Sequence, residues 1–471
     1  MSRIVIYGFG MTPYFIDHLM KSEKIDKSYD FSVIIRSSHH LNILQQNLGG
    51  NELLCIDREF EMQRDKGHSL DELTNFCGNI YSAIESQKVN MKHRKSEYQT
   101  EKAILTYRIV KKFIVDSEPE IILFIQPPED MESCIIAGIA RELEIPIAVP
   151  HHTRHLGLSF FTNNELEVLP EGSSNSSVSN SDLARNFLCN FREGLTSPSS
   201  IAWDHAVGLN YLDYRNSPRL RRLVQGIERF CHERGSVEWN TILIGLRNNW
   251  MPWYRDIVRS IRISRNKQIY NCKTVEDLPD KFIFYPIQYT PESSINIPSP
   301  YFIDQLRVID AIRMVMPSDF HLVVKEHPVC ISVRHGSFMK SLLHKAGVVV
   351  ANIDLSTNYL IEHSELVISV TGTAAFEAFL NRKPSIVMGQ TFFADAIGGV
   401  CDLGELEARI KSCIGSEIND EDIINFLSRL FSISEPFLGR TPGERSDFMM
   451  TEENLLAFWN AFIKFKKSIN D

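Results

Sequence analysis

The sequence predicts an α/β protein built from two Rossmann-like halves, and three observations carry that expectation. Short apolar, β-branched runs recur with helix-like stretches between them, as in open parallel sheets. The alternation occurs twice, once from the amino terminus and again from Lys281. The 471 residues are enough for two cores of ordinary size, and 43% hydrophobic with 23% charged residues excludes collagen-like, coiled-coil and largely disordered chains.

In the first half, residues 3–8 read as a buried parallel strand, followed by glycines and a helical pattern from Pro13 to Met20. Further strands are expected at Phe31–Ile35, Leu53–Ile56, Glu120–Ile125 and Ile145–Val149. The polar stretch from Glu171 to Ser181 cannot bury a core and reads as a mobile loop. In the second half, strands are expected at Phe282–Ile287, His321–Val324, Val348–Ile353, Leu366–Val370 and Ser385–Met388. Helices are expected at Tyr301–Val315, near Ser337–Lys345 and at Ala374–Leu380. A last helix, Thr451–Ile469, is placed to cross back onto the first domain. The expected division is residues 1–160, an insertion and linker at 161–280, a second domain at 281–450 and the crossing helix at 451–471.

The net charge of −9 argues against a nucleic-acid partner, because phosphate contact needs a basic surface. Residues 205–267 run against that trend, with 12 Lys and Arg against 5 Asp and Glu, a local +7 that leaves −16 elsewhere. Within 250–267, Arg255, Arg259 and Arg262 recur at helical spacing beside a face of Trp250, Trp253, Ile257 and Ile261. An interfacial helix at the inner membrane, a basic lining for a cleft and a solvated helix all fit this pattern. Nine scattered cysteines lack the two-residue spacing of zinc or redox motifs and read as buried thiols of a reducing compartment. No run reaches the ~18 to 20 apolar residues of a membrane span, so a cytoplasmic protein is expected.

In open α/β sheets ligands bind beyond the carboxyl ends of the strands, so the loops there carry the chemistry. Thr371, Gly372 and Thr373 follow a strand and open a helix, an arrangement suited to a phosphate. Glu377, one turn on, can accept from two ribose hydroxyls, although Thr373 as N-cap with a first-turn Glu explains the same residues. Lys325 and His327 lie two apart before Pro328, so both can reach one anionic group, and a protonatable imidazole beside a phosphate can neutralise charge as the leaving group departs. An ordinary solvated strand end explains them equally well. Gln288, Glu292 and Ser293 occupy a Pro-bounded loop and are candidates for base, ribose or sugar contacts.

The linked set Phe284–Gln288, Pro291–Ser294, Asp304-Gln305, Val324–Pro328, Thr371–Ala374 with Glu377-Ala378, and Lys383-Pro384 resembles the bacterial capsule polysaccharide biosynthesis family. That family includes the capsule Kdo (3-deoxy-manno-octulosonic acid) transferases. The resemblance covers roughly residues 281–390. It implies a GT-B glycosyltransferase, two Rossmann-like domains facing a cleft, with no bound cofactor beyond a CMP-activated sugar donor. The implied acceptor is a glycan or glycolipid. The histidine-proline pair with a Ser/Thr loop is similar to bacterial sialyltransferases, another CMP-dependent group, so an acidic 2-keto sugar is expected.

The first domain should then supply the acceptor side and a carboxylate or imidazole for the chemistry. Glu129 and Asp130 follow a Pro-Pro turn, where capping the next helix is an equal reading. His151 and His152, adjacent on a strand, point to opposite sides, and His152 is preferred because Thr153 and Gly157 complete the resemblance. Gly8-Phe9-Gly10 lacks the dinucleotide fingerprint, which argues against a nicotinamide cofactor. No helix-spaced pair of metal ligands stands out, and metal-independent catalysis is expected. A UDP-sugar transferase, a sugar-nucleotide 2-epimerase and a non-catalytic assembly scaffold are the rival readings.

Overall fold

The structure is a computed structural model. It describes residues 2–10, 12–25, 29–46, 48, 52–86, 96–153, 158–169, 178–194, 261, 265, 269–289, 293–327, 330, 334–438 and 449–470. The basic pattern of 250–267 lies outside them save for Ile261 and Arg265, as do Gly157, Glu292 and Pro328.

Two sheets organise the chain. The first holds β1 (Ser2–Gly8), β2 (Tyr29–Ile35), β3 (Leu53–Cys55), β4 (Ile121–Phe124), β5 (Ile147–His152) and β6 (Ser159–Thr162) in the order β3-β2-β1-β4-β5-β6. All neighbours are parallel except β5 and β6. The second holds β7 (Phe282–Pro286), β8 (His321–Lys325), β9 (Val348–Ala351), β10 (Leu366–Ser369) and β11 (Ser385–Val387) in the order β11-β10-β7-β8-β9, all parallel. β4 and β10 are buried at every residue, which is why they read in sequence as unbroken apolar runs. In each sheet the direction of winding reverses between two central strands, β1 and β4 in one and β7 and β10 in the other.

The helices that matter to the site are α1 (Thr12–Lys21), α2 (Ser96–Ser117), α3 (Met131–Glu142), α4 (Val178–Arg192), α5 (Gln305–Val315), α6 (Gly336–Leu343), α7 (Thr373–Leu380), α8 (Asp420–Ile433) and α9 (Glu452–Asn470). α5 starts later than expected because Asp304 accepts from the Leu306 and Arg307 amides and caps it there, while Pro300–Phe302 makes a separate 3₁₀ turn. Of the polar stretch expected as a loop, Val178–Ser181 belong to α4, and residues 171–177 lie outside the described residues.

One apolar cluster lies on each face of both sheets. α9 packs on the first: the Phe458 ring lies 5.0 Å from Phe15 and 5.3 Å from Phe161, and Trp459 lies 5.4 Å from Tyr29. A further cluster joins Phe160 of β6, Phe187 of α4, Phe376 of α7 and Leu427 of α8. The eight cysteines described are free. Cys77 and Cys189 are exposed, which corrects the expectation that all are buried.

Candidate functional site

The loop after β10 shows how the second sheet builds its edge. Ser369, fully buried, accepts the Gly372 amide at 2.9 Å and a 3.1 Å bond from Gln288 Nε2. Gln288 also donates to Pro286 O and is therefore fixed beside the start of α7. A β-carbon on Gly372 would stand 2.7 Å from Ser369 Oγ and 2.9 Å from Gln288 Nε2, so a larger residue there would displace the side chains that join the two loops. The cap of α7 is Gly372 itself, with no side-chain cap bond, and Thr373 is the first helical residue rather than the N-cap. The positive end of α7 thus lies where β7 and β10 diverge, the place an open sheet offers a ligand. Thr371 and Glu377 are buried there.

The loop after β8 differs from the expectation in one respect. Lys325 Nζ donates to Leu355 O at 2.6 Å and Thr357 Oγ1 at 2.8 Å. Its ammonium is thus committed to the loop after β9 rather than held out for a phosphate. Burial pushes it down to about 8 against the opposing pull of Asp354 and Glu377. His327 is pushed down to about 4, by the protein around it first and then by Lys325 and Arg334. The imidazole is therefore neutral near pH 7 in the unliganded site. Of the remaining candidates, Glu292 lies outside the described residues, and only the backbone of Ser293 is described, opening a single turn, Ser293–Asn296.

Glu326 and Arg334 were not singled out from the sequence. Arg334 donates to Glu326 Oε2 at 2.8 Å, to Oε1 at 3.1 Å and to Gln288 O at 2.9 Å, with its guanidinium over the Phe338 ring. Glu326 Oε1 in turn accepts the His327 amide. One buried, two-pronged ion pair therefore ties the loops that carry Gln288 and His327.

At the first sheet the capping reading is the one the structure shows for Asp130. Its Oδ1 accepts the Ser133 amide at 2.8 Å at the start of α3, and its Oδ2 accepts from Tyr7 Oη at 2.9 Å. Around it lies an ionic cluster centred on a buried carboxylate. Glu132, wholly buried, has Oε1 3.5 Å from Lys102 Nζ and 3.7 Å from Arg36 Nε, and Lys102 also reaches Asp57 at 3.1 Å. Burial, and then Asp130 beside it, pushes Glu132 up to about 7. Burial alone would lower Lys102, but Glu132 and Asp57 hold it above its ordinary value. Glu129 stays half-buried at this edge.

His151 and His152 do point apart. His151 is buried against Phe160, with Nε2 3.4 Å from Asn164 O, whereas His152 is half-buried with Nδ1 2.8 Å from Ser159 Oγ. Among the described residues no three His, Cys, Asp or Glu side chains group as metal ligands, and no helix is long and apolar enough to cross a membrane.

Two parallel-sheet Rossmann-like domains, each with polar groups at the strand ends where winding reverses, define a GT-B-like chain. Residues 257–418 match the family model described as capsule polysaccharide biosynthesis protein, a stretch that contains β7 to β11 and every second-domain candidate. No curated protein matches the sequence. Among solved structures the chain is similar to UDP-GlcNAc 2-epimerase from Methanocaldococcus jannaschii, at 11% identity and a TM-score of 0.26, covering 92% of this chain and 99% of that one. It is similar also to the β Kdo 2,7 transferase of Thermosulfurimonas dismutans KpsC, at 11% identity and a TM-score of 0.28, covering 69% and 89%. The β Kdo 2,4 transferase of the same KpsC gives 12% identity and a TM-score of 0.26, covering 65% and 90%.

Proposed function

We propose that this protein is a glycosyltransferase of surface polysaccharide synthesis that moves an acidic 2-keto sugar from a CMP-linked donor to a glycan or glycolipid acceptor. The observation that carries the reading is the junction of Gln288, Ser369 and Gly372, which sets the start of α7 beside the loop after β7 within the stretch matched by the capsule family. In this reading Thr371, Gly372 and Thr373 receive the donor phosphate, and Glu377 holds the ribose. His327 enters neutral and gains a proton as the phosphate approaches, so that it can stabilise the leaving group. Lys325 acts at one remove, as a fixed positive charge beside Glu377. Glu129 and His152 face the acceptor, His152 as proton acceptor, while Asp130 holds α3 in place. No metal is required by these roles.

A thermal-shift comparison of CMP, UDP and GDP tests this. A ligand at ~100 Kd should stabilise by ~2.7 kcal/mol, and CMP is expected to do so. Stabilisation by UDP alone would favour the UDP-sugar transferase or epimerase. Stabilisation by none, with stable association to partner enzymes, would favour a scaffold. The basic segment 250–267 supports a cytoplasmic enzyme drawn to an anionic membrane surface, at ~1 kcal/mol per basic residue near it. Flotation with anionic but not neutral vesicles is the expected result, and equal behaviour with both would remove that part of the proposal.

A further inference from the structure

Ser159 opens β6 opposite His152 of β5, in register. It is completely buried, and its backbone exchanges two bonds with Glu435, at 2.9 and 2.7 Å. Its hydroxyl makes two contacts: it donates to Phe437 O at 2.7 Å and lies 2.8 Å from His152 Nδ1. A serine hydroxyl has one proton. With that proton committed to the Phe437 carbonyl, the second contact is a hydrogen bond only if Nδ1 carries a proton and donates it. A neutral imidazole so held has its lone pair on Nε2.

We infer that Ser159 is a positioning residue that fixes His152 as its Nδ1–H tautomer, making Nε2 the atom that takes the proton of the acceptor hydroxyl. The inference rests on the reading that His152 faces the acceptor. In the step, the acceptor oxygen forms its bond to the anomeric carbon while the bond from that carbon to the phosphate oxygen breaks, its electron pair leaving with CMP. The hydroxyl proton passes to Nε2, and the imidazolium keeps Nδ1–H on Ser159 until Nε2 gives its proton to water. An acceptor aimed at Nδ1 thus orients the ring and stabilises the cation, as a carboxylate does in hydrolase triads. The carbonyl behind Ser159 belongs to the segment between α8 and α9, so the connection that returns the chain to the first sheet also buttresses the histidine.

Nitrogen NMR of histidine-labelled full-length protein tests the inference without any substrate. The His152 shifts should report Nδ1–H in the wild type and move towards the Nε2–H form or a mixture in Ser159→Ala. An Nε2–H wild type, or an unchanged Ser159→Ala spectrum, overturns it. Transfer from a CMP-sugar donor should fall ~10²-fold in turnover in Ser159→Ala, the scale of general-base catalysis, with donor KM unchanged and CMP thermal shift intact. Normal turnover in that variant overturns the positioning role. Failure of CMP to bind the wild type sinks the proposed function instead and leaves the tautomer to be decided by the nitrogen shifts.

Discussion

The two sheets share a winding pattern and differ in what they place at its reversal point. Beyond β7 and β10 stand Lys325, Arg334, Glu326, Glu377 and a neutral His327, organised by the Glu326–Arg334 ion pair and by hydrogen bonds to backbone carbonyls and amides. Beyond β1 and β4 lies a cluster of three carboxylates, the buried Asp130 and Glu132 and the half-buried Asp57, against two cations, Arg36 and Lys102. A shared winding pattern thus yields one edge built on the start of α7 and the Glu326–Arg334 pair, and another built on a larger cluster of mutually paired charges. Fold alone does not assign the donor side.

The largest expected effect comes from breaking the first edge. Lys102→Met leaves Glu132 buried with one cation fewer, and removing one partner of a buried pair costs ~3 to 5 kcal/mol. Urea denaturation at pH 8 should show a loss of that order, smaller at pH 5, where Glu132 is neutral. Adding Glu132→Gln should restore most of it. A loss under ~1 kcal/mol at pH 8 would mean that the cluster is not the coupled unit described, since an exposed pair is worth no more than that.

At the second edge the expected effect is on rate rather than folding. His327 lies outside the apolar clusters of the second sheet, so His327→Ala should cost little stability near pH 7 but lower turnover by ~10² or more, the scale of acid–base catalysis. A stability loss like a core truncation with normal turnover would show a structural imidazole instead.

These two edges were unequally legible in the sequence. The parallel strands of both sheets were found to within a few residues, because buried parallel strands are continuous apolar runs that need no partner to be recognised, whereas the antiparallel edge strand β6 was missed. Thr371–Thr373 was legible too, since strand, small-residue turn and helix are consecutive. Arg334 was not: it stands seven residues past His327 behind a proline, and only the folded loop returns it to Glu326 and Gln288 O. Arg36, Lys102 and Glu132 are isolated charges in sequence, and the crossing of β1, β2, α2 and α3 brings them together. Ser159 is equally silent, since its partner Phe437 lies 278 residues away. Local periodicity encodes which face is buried, not which distant group shares the burial.

Glu377→Gln sharpens the assignment of the second edge at smaller amplitude. Hydrogen bonds to a charged group are worth ~1.5 to 3 kcal/mol against roughly 1 for neutral ones. Donor affinity, measured by calorimetry with CMP, should weaken up to ~10-fold, with turnover at saturation changing less because ribose contacts are similar in ground and transition states. Unchanged donor KM with lost turnover would move Glu377 to the chemical step.

The smallest effect is a pH slope, and it has opposite sign at the two edges. Glu132 is raised from 4.5 to about 7, so between those values the folded protein holds a proton that the unfolded chain has lost. Stability from this edge is present at low pH and falls as pH rises through that window. His327 is lowered from 6.5 to about 4, so in that window the folded protein holds fewer protons than the unfolded chain. Its contribution is present above 6.5 and falls as pH drops towards 4. The windows overlap from 4.5 to 6.5, where the two slopes oppose and flatten the wild-type profile. Urea midpoints at pH 5, 5.5, 6 and 6.5 should therefore rise with pH in Glu132→Gln relative to the wild type and fall with pH in His327→Ala. Slopes that change in the same direction in both variants would show that the edges do not carry opposite proton linkage, and the contrast between them would fail on electrostatic grounds.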